Sequence, residues 1–187
     1  EAFANAERVP RYQVDQALAF TVRPNALRYP DDARQAAFMR EIVRGLSELP
    51  GVKAAGSISA TPMGGGASGD FILPGRETEN LSAHYRSVSP GGFGALGMML
   101  LRGRAFEDSD CVERPENVIV SRSLAARCWP GQDPIGKAIV KKMYDDVGTA
   151  FRIVGVVEDV RHEGPAVDRG LETIYWPSRG FLWGSSS

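Results

Sequence analysis

The sequence predicts an α+β chain with mixed sheets, and three features predict it. A strand, an amphipathic helix and a second strand follow one another in the first sixty residues. Ser121 to Lys137, SRSLAARCWPGQDPIGK, packs a helix and a double turn between two strands, close to the minimum length for such a unit. Phe151 to Asp159, FRIVGVVED, is apolar on both faces, as a strand covered on both sides reads. With 187 residues, 43% of them hydrophobic, the chain can bury a real core as one large domain or two small lobes.

Val14, Leu18, Phe20 and Val22 share one parity from Gln13 onward while Asp15 and Arg23 take the other, which predicts a strand ending at Pro24. A helix follows. Asp31 and Asp32 come after Pro30, Asp32-Ala33-Arg34-Gln35 fits a capping box, and Phe38, Ile42, Leu46 and Leu49 line one face opposite Arg34, Glu41, Arg44 and Glu48. Pro50-Gly51 stops it. Val52, Ala54, Gly56, Ile58 and Ala60 then alternate against Lys53, Ser57 and Ser59, which predicts a parallel partner strand and a right-handed βαβ unit. Thr61 to Gly69, TPMGGGASG, reads as a flexible loop. Asp70 to Leu73 and Ala83 to Ser89 read as two more strands joined by a polar loop.

Phe93 and Leu96 in GGFGALG are expected to plug a tight corner into the core, and Met98 to Arg102 is a short apolar run cut by Gly103. Val118 to Val120 reads as a short buried strand feeding a helix with Leu124, Ala125 and Cys128 on one side. Trp129-Pro130-Gly131 ends that helix, Asp133-Pro134 turns, and Ile139-Val140 opens the next strand. A last strand, Glu172 to Trp176, ends at Pro177.

The formal net charge is −1 and the basic residues are scattered, with Lys141-Lys142 the one lysine pair, so a nucleic-acid partner is excluded. Nothing approaches the roughly 18 apolar residues of a membrane span. The opening residues EAFANAERVP carry neither a basic n-region nor an apolar h-region, so no signal peptide is expected there, a feature shared by cytosolic proteins and excised ectodomains. Cys111 and Cys128 match no zinc or redox spacing and are expected to be free thiols, Cys128 the less reactive through burial.

Each candidate chemistry lacks a part. The glycines of TPMGGGASG are not followed by the Lys-Ser/Thr that grips a phosphate. Gly92, Gly94 and Gly97 match GxGxxG literally, but no helix opens at the third glycine and no ribose-binding acid follows. Asp108, Asp110 and Glu113 suggest a calcium loop, yet Val112 and Glu113 stand where the EF-hand pattern needs a ligand and a glycine, and a capped turn is expected. His84 reads as a packed or surface strand residue and His162-Glu163 as a solvated loop. With two histidines, no GxSxG and no HExxH, neither a hydrolytic triad nor zinc chemistry has a basis. No catalytic, cofactor-binding or metal-ligating residue is assigned, and no cofactor is expected.

Six separated stretches, in one order, resemble the extracytoplasmic core domain of ABC-transporter permeases of the MacB and FtsX type. They are Phe38 to Val52 (FMREIVRGLSELPGV), Ser87 to Gly97 (SVSPGGFGALG), Leu101 to Phe106 (LRGRAF), Trp129 to Lys137 (WPGQDPIGK), Ile153 to Val160 (IVGVVEDV) and Ile174 to Pro177 (IYWP). The resemblance implies an N-terminal extension over 1–12, a porter-like βαβ lobe from 13–90 plus 170–178, an inserted second α/β lobe over 91–169 and a ragged tail over 179–187. It also implies a non-catalytic domain anchored by transmembrane helices outside this chain, on the periplasmic side of the bacterial inner membrane. Its partners would be those helices, a cytoplasmic ABC ATPase whose motion it relays, and a second copy in a homodimer. Two departures stand out. Cys128 takes a place where such permeases often carry an aromatic or other apolar residue, and in many relatives another βαβ continues after the Ile-Tyr-x-Pro strand. A free-standing ligand-binding or sensory domain is the alternative, and two apolar helices of roughly 20 residues bracketing these residues in the parent gene would separate the two.

Overall fold

The computed structural model describes residues 17–25, 27–60, 66–112, 116–143, 146–160 and 172–178. Among them the chain runs α1 (Asp32–Ser47), β1 (Ser68–Ile72), β2 (Leu81–Val88), α2 (Gly92–Ala95), β3 (Leu100–Gly103), α3 (Asp108–Val112), β4 (Asn117–Ser121), α4 (Arg122–Cys128), β5 (Ala138–Met143), β6 (Asp146–Val157) and β7 (Thr173–Pro177). The seven strands lie in the order β3-β6-β4-β7-β2-β1-β5, and β5 pairs again with β6. That last pairing closes six strands into a small barrel, with β3 an extra edge strand beside the second half of β6. The sheet is mixed, as predicted: β2/β7 and β4/β6 are parallel and the other pairs antiparallel.

Alternation along each strand sends residues to opposite faces, and both faces are covered over part of the sheet. The inner cluster draws on every ring strand: Phe71 from β1, Leu81, Ala83 and Tyr85 from β2, Val118 and Val120 from β4, Ile139 from β5, Ile153 and Val156 from β6, and Ile174 from β7. Tyr85 and Phe151 meet the ring of Trp176 edge-on at 4.7 and 5.7 Å, and the Tyr85 hydroxyl donates to the Asp70 carbonyl at 2.7 Å, so this large side chain is buried with its polar end satisfied. The outer cluster covers only β2, β7, β4 and β6, through Val88, Tyr175, Ile119 and Val157 with Phe93, Met98, Phe106 and Val160 laid over them. Phe93 is buried, as expected of the corner, and α2 is the single helical turn that carries it.

Helix α4 plugs the inner cluster with Leu124, Ala125, Cys128 and Trp129. Seven residues make a helix too short to persist alone, so its ends must be satisfied from outside. At the N-terminus, Ser121 Oγ accepts from Leu124 N at 3.4 Å and from Thr173 N at 2.9 Å, and Asp159 accepts from Ser123 N at 2.7 Å and from Arg122 Nε at 3.1 Å. At the C-terminus the Arg76 guanidinium donates to the Cys128 carbonyl at 2.6 Å while Glu79 holds its other edge. Anion at one end and cation at the other also match the helix dipole.

The first sixty residues depart from expectation. Residues 17–25 take no regular structure, and Leu18 and Phe20 stand 88% and 57% exposed. A strand needs a neighbour for its alternate N–H and C=O groups, and none is present among the described residues. The segment after the helix pairs only around Ile58, and antiparallel, with Val88 of β2, so no parallel βαβ unit forms here. Helix α1 is where the periodicity places it, but Asp31 is its N-cap, accepting from Arg34 N at 2.8 Å, and Gln35 Nε2 donates to the Tyr29 carbonyl instead of completing a capping box on Asp32. Phe38 packs on Tyr29 with ring centroids 4.5 Å apart. The boundaries expected at 90/91 and 169/170 fall inside one sheet: β1 ladders with β5 and β7 with β4. Residues 1–12 and 179–187 and the pair His162-Glu163 lie outside the described residues.

Ser121 serves two amides from one oxygen, one of them on a neighbouring strand. Ser121→Ala should therefore destabilise the chain by about 2 kcal/mol, since both buried donors lose their acceptor, read as a shifted denaturation midpoint; Ser121→Thr should recover most of it.

Candidate functional site

The places where the sequence hinted at chemistry can now be followed to their positions. The corner from Gly91 to Gly97 packs Phe93 and Leu96 into the outer cluster, while residues 61–65 of the other stretch lie outside the described residues. In the corner, Gly92 N donates to Ser89 O, Ala95 N to Gly91 O, Leu96 N to Gly92 O, Gly97 N to Gly94 O and Met98 N to Phe93 O, at 2.8 to 3.1 Å. A phosphate loop points its amides at the ligand. Here those amides close the corner on itself, and Phe93 leaves it edge-on against Tyr175 at 5.1 Å.

Gly66, at the end of the other stretch, lies on the guanidinium of Arg86, so close that a Cβ there would come within 2.5 Å of Nη1. Arg86 is fully buried and the largest such side chain among the described residues. Its Nη1 donates to the Ala67 carbonyl at 3.0 Å and the Tyr85 carbonyl at 2.8 Å, tying the chain before β1 to β2. Nothing in the sequence marked Arg86, which shares the parity of His84 and Val88 along β2. Next to it, Ser68 Oγ and His84 Nδ1 meet at 3.0 Å across the directly paired residues of β1 and β2. That contact bridges two strands at their exposed end, in keeping with a surface reading of His84.

Of the suspected calcium loop, Glu113 lies outside the described residues. Asp110 is fully buried; it accepts from Arg104 Nη1 at 2.5 Å and Nη2 at 2.9 Å, from Asn117 Nδ2 at 2.7 Å and from Glu107 N at 2.8 Å. Those four hydrogen bonds use both carboxylate oxygens and join the chain after β3 to α3 and the start of β4. Burial pushes the Asp110 carboxyl up, but the bonds from Arg104, Asn117 and the Glu107 amide outweigh it and hold the group down at about 2. Asp110 caps a turn, as the sequence suggested, with the arginine partner that the sequence did not show. Among the described residues no three His, Cys, Asp or Glu side chains are grouped to hold a metal ion, and no helix is long and apolar enough to cross a membrane.

Both cysteines are buried, and no disulfide joins them. Burial first of all pushes the Cys128 thiol up to about 11, Arg76 and Arg127 nearby notwithstanding, so almost no thiolate exists at neutral pH. The burial of Cys111 equals that of many core residues, which makes both thiols slow to react.

Two outcomes follow for solution measurements. A carboxyl held below its unfolded value of 3.8 contributes stability that is complete above about pH 4 and disappears as pH falls towards 2. For Asp110 this amounts to about 2 kcal/mol. Asp110→Asn should flatten the acid limb of the stability profile, and a wild-type profile unchanged by that substitution would show the network to be inert. A thiol-labelling reagent should find essentially no reactive cysteine in the folded chain and two after denaturation, under oxidising conditions as well; no labelling of the denatured chain would mean a bridged pair.

The sequence profile of MacB-like periplasmic core domains matches residues 3–184. None of the curated proteins matches this chain. Among solved structures, the chain is similar to the periplasmic region of MacB from Actinobacillus actinomycetemcomitans, at 18% identity and a TM-score of 0.49 over 75% of this chain and 55% of that one. It is similar also to the extracellular domain of the noncanonic ABC-type transporter YknZ from Gram-positive bacteria, at 20% identity and a TM-score of 0.48 over 75% of this chain and 62% of that one. The chain thus spans 55% to 62% of the lengths of these two structures. With the profile running over nearly its whole length, the chain belongs to the family of MacB-like periplasmic core domains.

Proposed function

We propose that this domain is a non-catalytic, extracytoplasmic part of an ABC-transporter permease that relays motion driven by a cytoplasmic ATPase, for export or for mechanical signalling. On this reading it stands on the periplasmic side of the inner membrane, carried by transmembrane helices of the same permease and paired with a second copy.

One observation carries the proposal beyond family membership. The polar and charged groups that are buried serve the frame: Asp110 and Arg104 pin a turn, Asp159 and Ser121 cap α4, and Arg86 ties β2 to the chain before β1. A frame of closed backbone ladders with internally satisfied polar groups transmits displacement without deforming, which a relay requires and a catalyst does not. Five of the corner amides, those of Gly92, Ala95, Leu96, Gly97 and Met98, likewise donate to nearby backbone carbonyls.

The test uses the full-length permease with its ATPase in a membrane. A spin label at exposed Gln132 and another in a transmembrane helix of the same chain should report a distance that changes between the nucleotide-free and the ATP-trapped states. The domain alone, titrated with ATP and magnesium, should give no saturable heat at micromolar concentrations. An unchanged distance in a permease that hydrolyses ATP overturns the relay, and saturable binding by the isolated domain overturns the non-catalytic reading.

A further inference from the structure

The closed barrel leaves little freedom between the segments on either side of residue 90. Moving them apart would break the β1/β5 and β4/β7 ladders. The junction between residues 17–60 and the barrel is built differently. Among the described residues neither core cluster takes a side chain from 17–52, and only Ile58 of the whole stretch packs against one of them. Helix α1 takes no part comparable to α4 in the packing of elements. Leu18, Leu27 and Leu49 are 88%, 94% and 52% exposed, so little apolar burial holds this arm down.

Among the described residues it is attached by a short antiparallel seam. Ile58 faces Val88, Ser59 N donates to Ser87 O at 2.9 Å, and Ser89 N donates to Ser57 O at 3.0 Å. Two serine hydroxyls complete it, Ser57 N donating to Ser89 Oγ at 2.8 Å and Ser87 N to Ser59 Oγ at 3.0 Å. Alongside, the backbones of Gly56 and Gly92 touch: a Cβ on Gly56 would lie 2.3 Å from Gly92 Cα. Close approach of two glycines leaves no side chains to interlock, and the serine bonds can be replaced one for one by water.

We propose that residues 17–60 form an arm that detaches from the barrel as a unit by opening this seam, while the barrel stays folded. The inference rests on the relay reading only for its use: the moving boundary would then lie at the Ser57–Ser59/Ser87–Ser89 seam and not inside the sheet. The opening is a property of this chain and is measurable without a permease.

Native-state hydrogen exchange on the chain provides the test. The seam amides of Ser59 and Ser89 should be protected about 100-fold less, or weaker still, than those of β4, β6 and β7, and should share one opening free energy. Ile58 and Val88 are a non-hydrogen-bonded antiparallel pair, the geometry that accepts a cross-strand disulfide. In I58C/V88C the oxidised form should slow exchange at Ser59 and Ser89, and reduction should restore it. Gly56→Ala, which forces the two backbones apart, should speed exchange at those amides and leave the barrel unchanged. Equal protection of seam and barrel, or loss of barrel protection in step with the seam in Gly56→Ala, overturns the proposal. In the full permease the oxidised I58C/V88C pair should abolish ATP-driven transport while basal hydrolysis continues. If exchange demonstrates the opening but transport persists with the bond formed, the detaching arm stands and its role in the relay falls.

Discussion

Everything in the barrel depends on β6 being paired on both edges. Along one edge it meets β4; along the other it meets β5 with its first half and β3 with its second. A twelve-residue strand is long enough to accept these neighbours in succession, and the twist of the sheet carries the chain round until β5 also meets β1. Closure removes the free edges of the ring and gives the inner cluster walls on every side. A register shift between Val118 and Ile119 of β4, opposite Ile153 and Gly155 of β6, absorbs the curvature. It also changes which parity points inward, so that Ile153 and Val156 share the inner cluster while Val154 and Val157 face out.

Closure in turn sets the demands on the polar groups. Where strands end and helices begin inside a closed frame, amides lie away from water and must find acceptors in the chain. Ser121 and Asp159 supply them where β4 passes into α4 and Asp110 does so before α3, and Arg76 satisfies the carbonyl at the far end of α4. Asp110, which looked chemically suggestive in the sequence, is one of these, and structural demand explains its type. A buried carboxylate needs several donors, and Arg104 offers two in fixed geometry. The relay reading and the seam both grow from the same contrast, between a closed barrel and an arm that, among the described residues, meets it along the Ser57–Ser59/Ser87–Ser89 seam and the backbones of Gly56 and Gly92.

Most of the elements between Asp70 and Pro177 were legible in the sequence. Their signals are local: alternation in Leu81–Val88, apolar residues on both faces of the second half of β6, the Pro-Gly stop after Cys128, and Ser121 before a run of helix formers. Local chemistry also sufficed to reject a phosphate loop and an EF-hand, since each fails on residues that those motifs require. Arg86, by contrast, could not be picked out, because a charged residue on a strand face reads as solvent-exposed until the opposite chain is known to lie over it. The partners of Asp110 and Asp159 likewise come from segments up to 37 residues away, and no spacing rule connects them.

The sequence by itself determined the family, the mixed α/β character, the helix over Asp32–Ser47 and most of the strands between Asp70 and Pro177, because side-chain periodicity and turn residues act within a few positions of the chain. The tertiary structure alone decided that the strands close into one barrel and that the segments flanking α1 form no βαβ unit. Period-two alternation records which residues prefer one face; it does not supply the neighbour whose amides and carbonyls make an extended segment a strand. Val88 offers that neighbour to Ile58 over a single bridge, and residues 17–25 have none among the described residues.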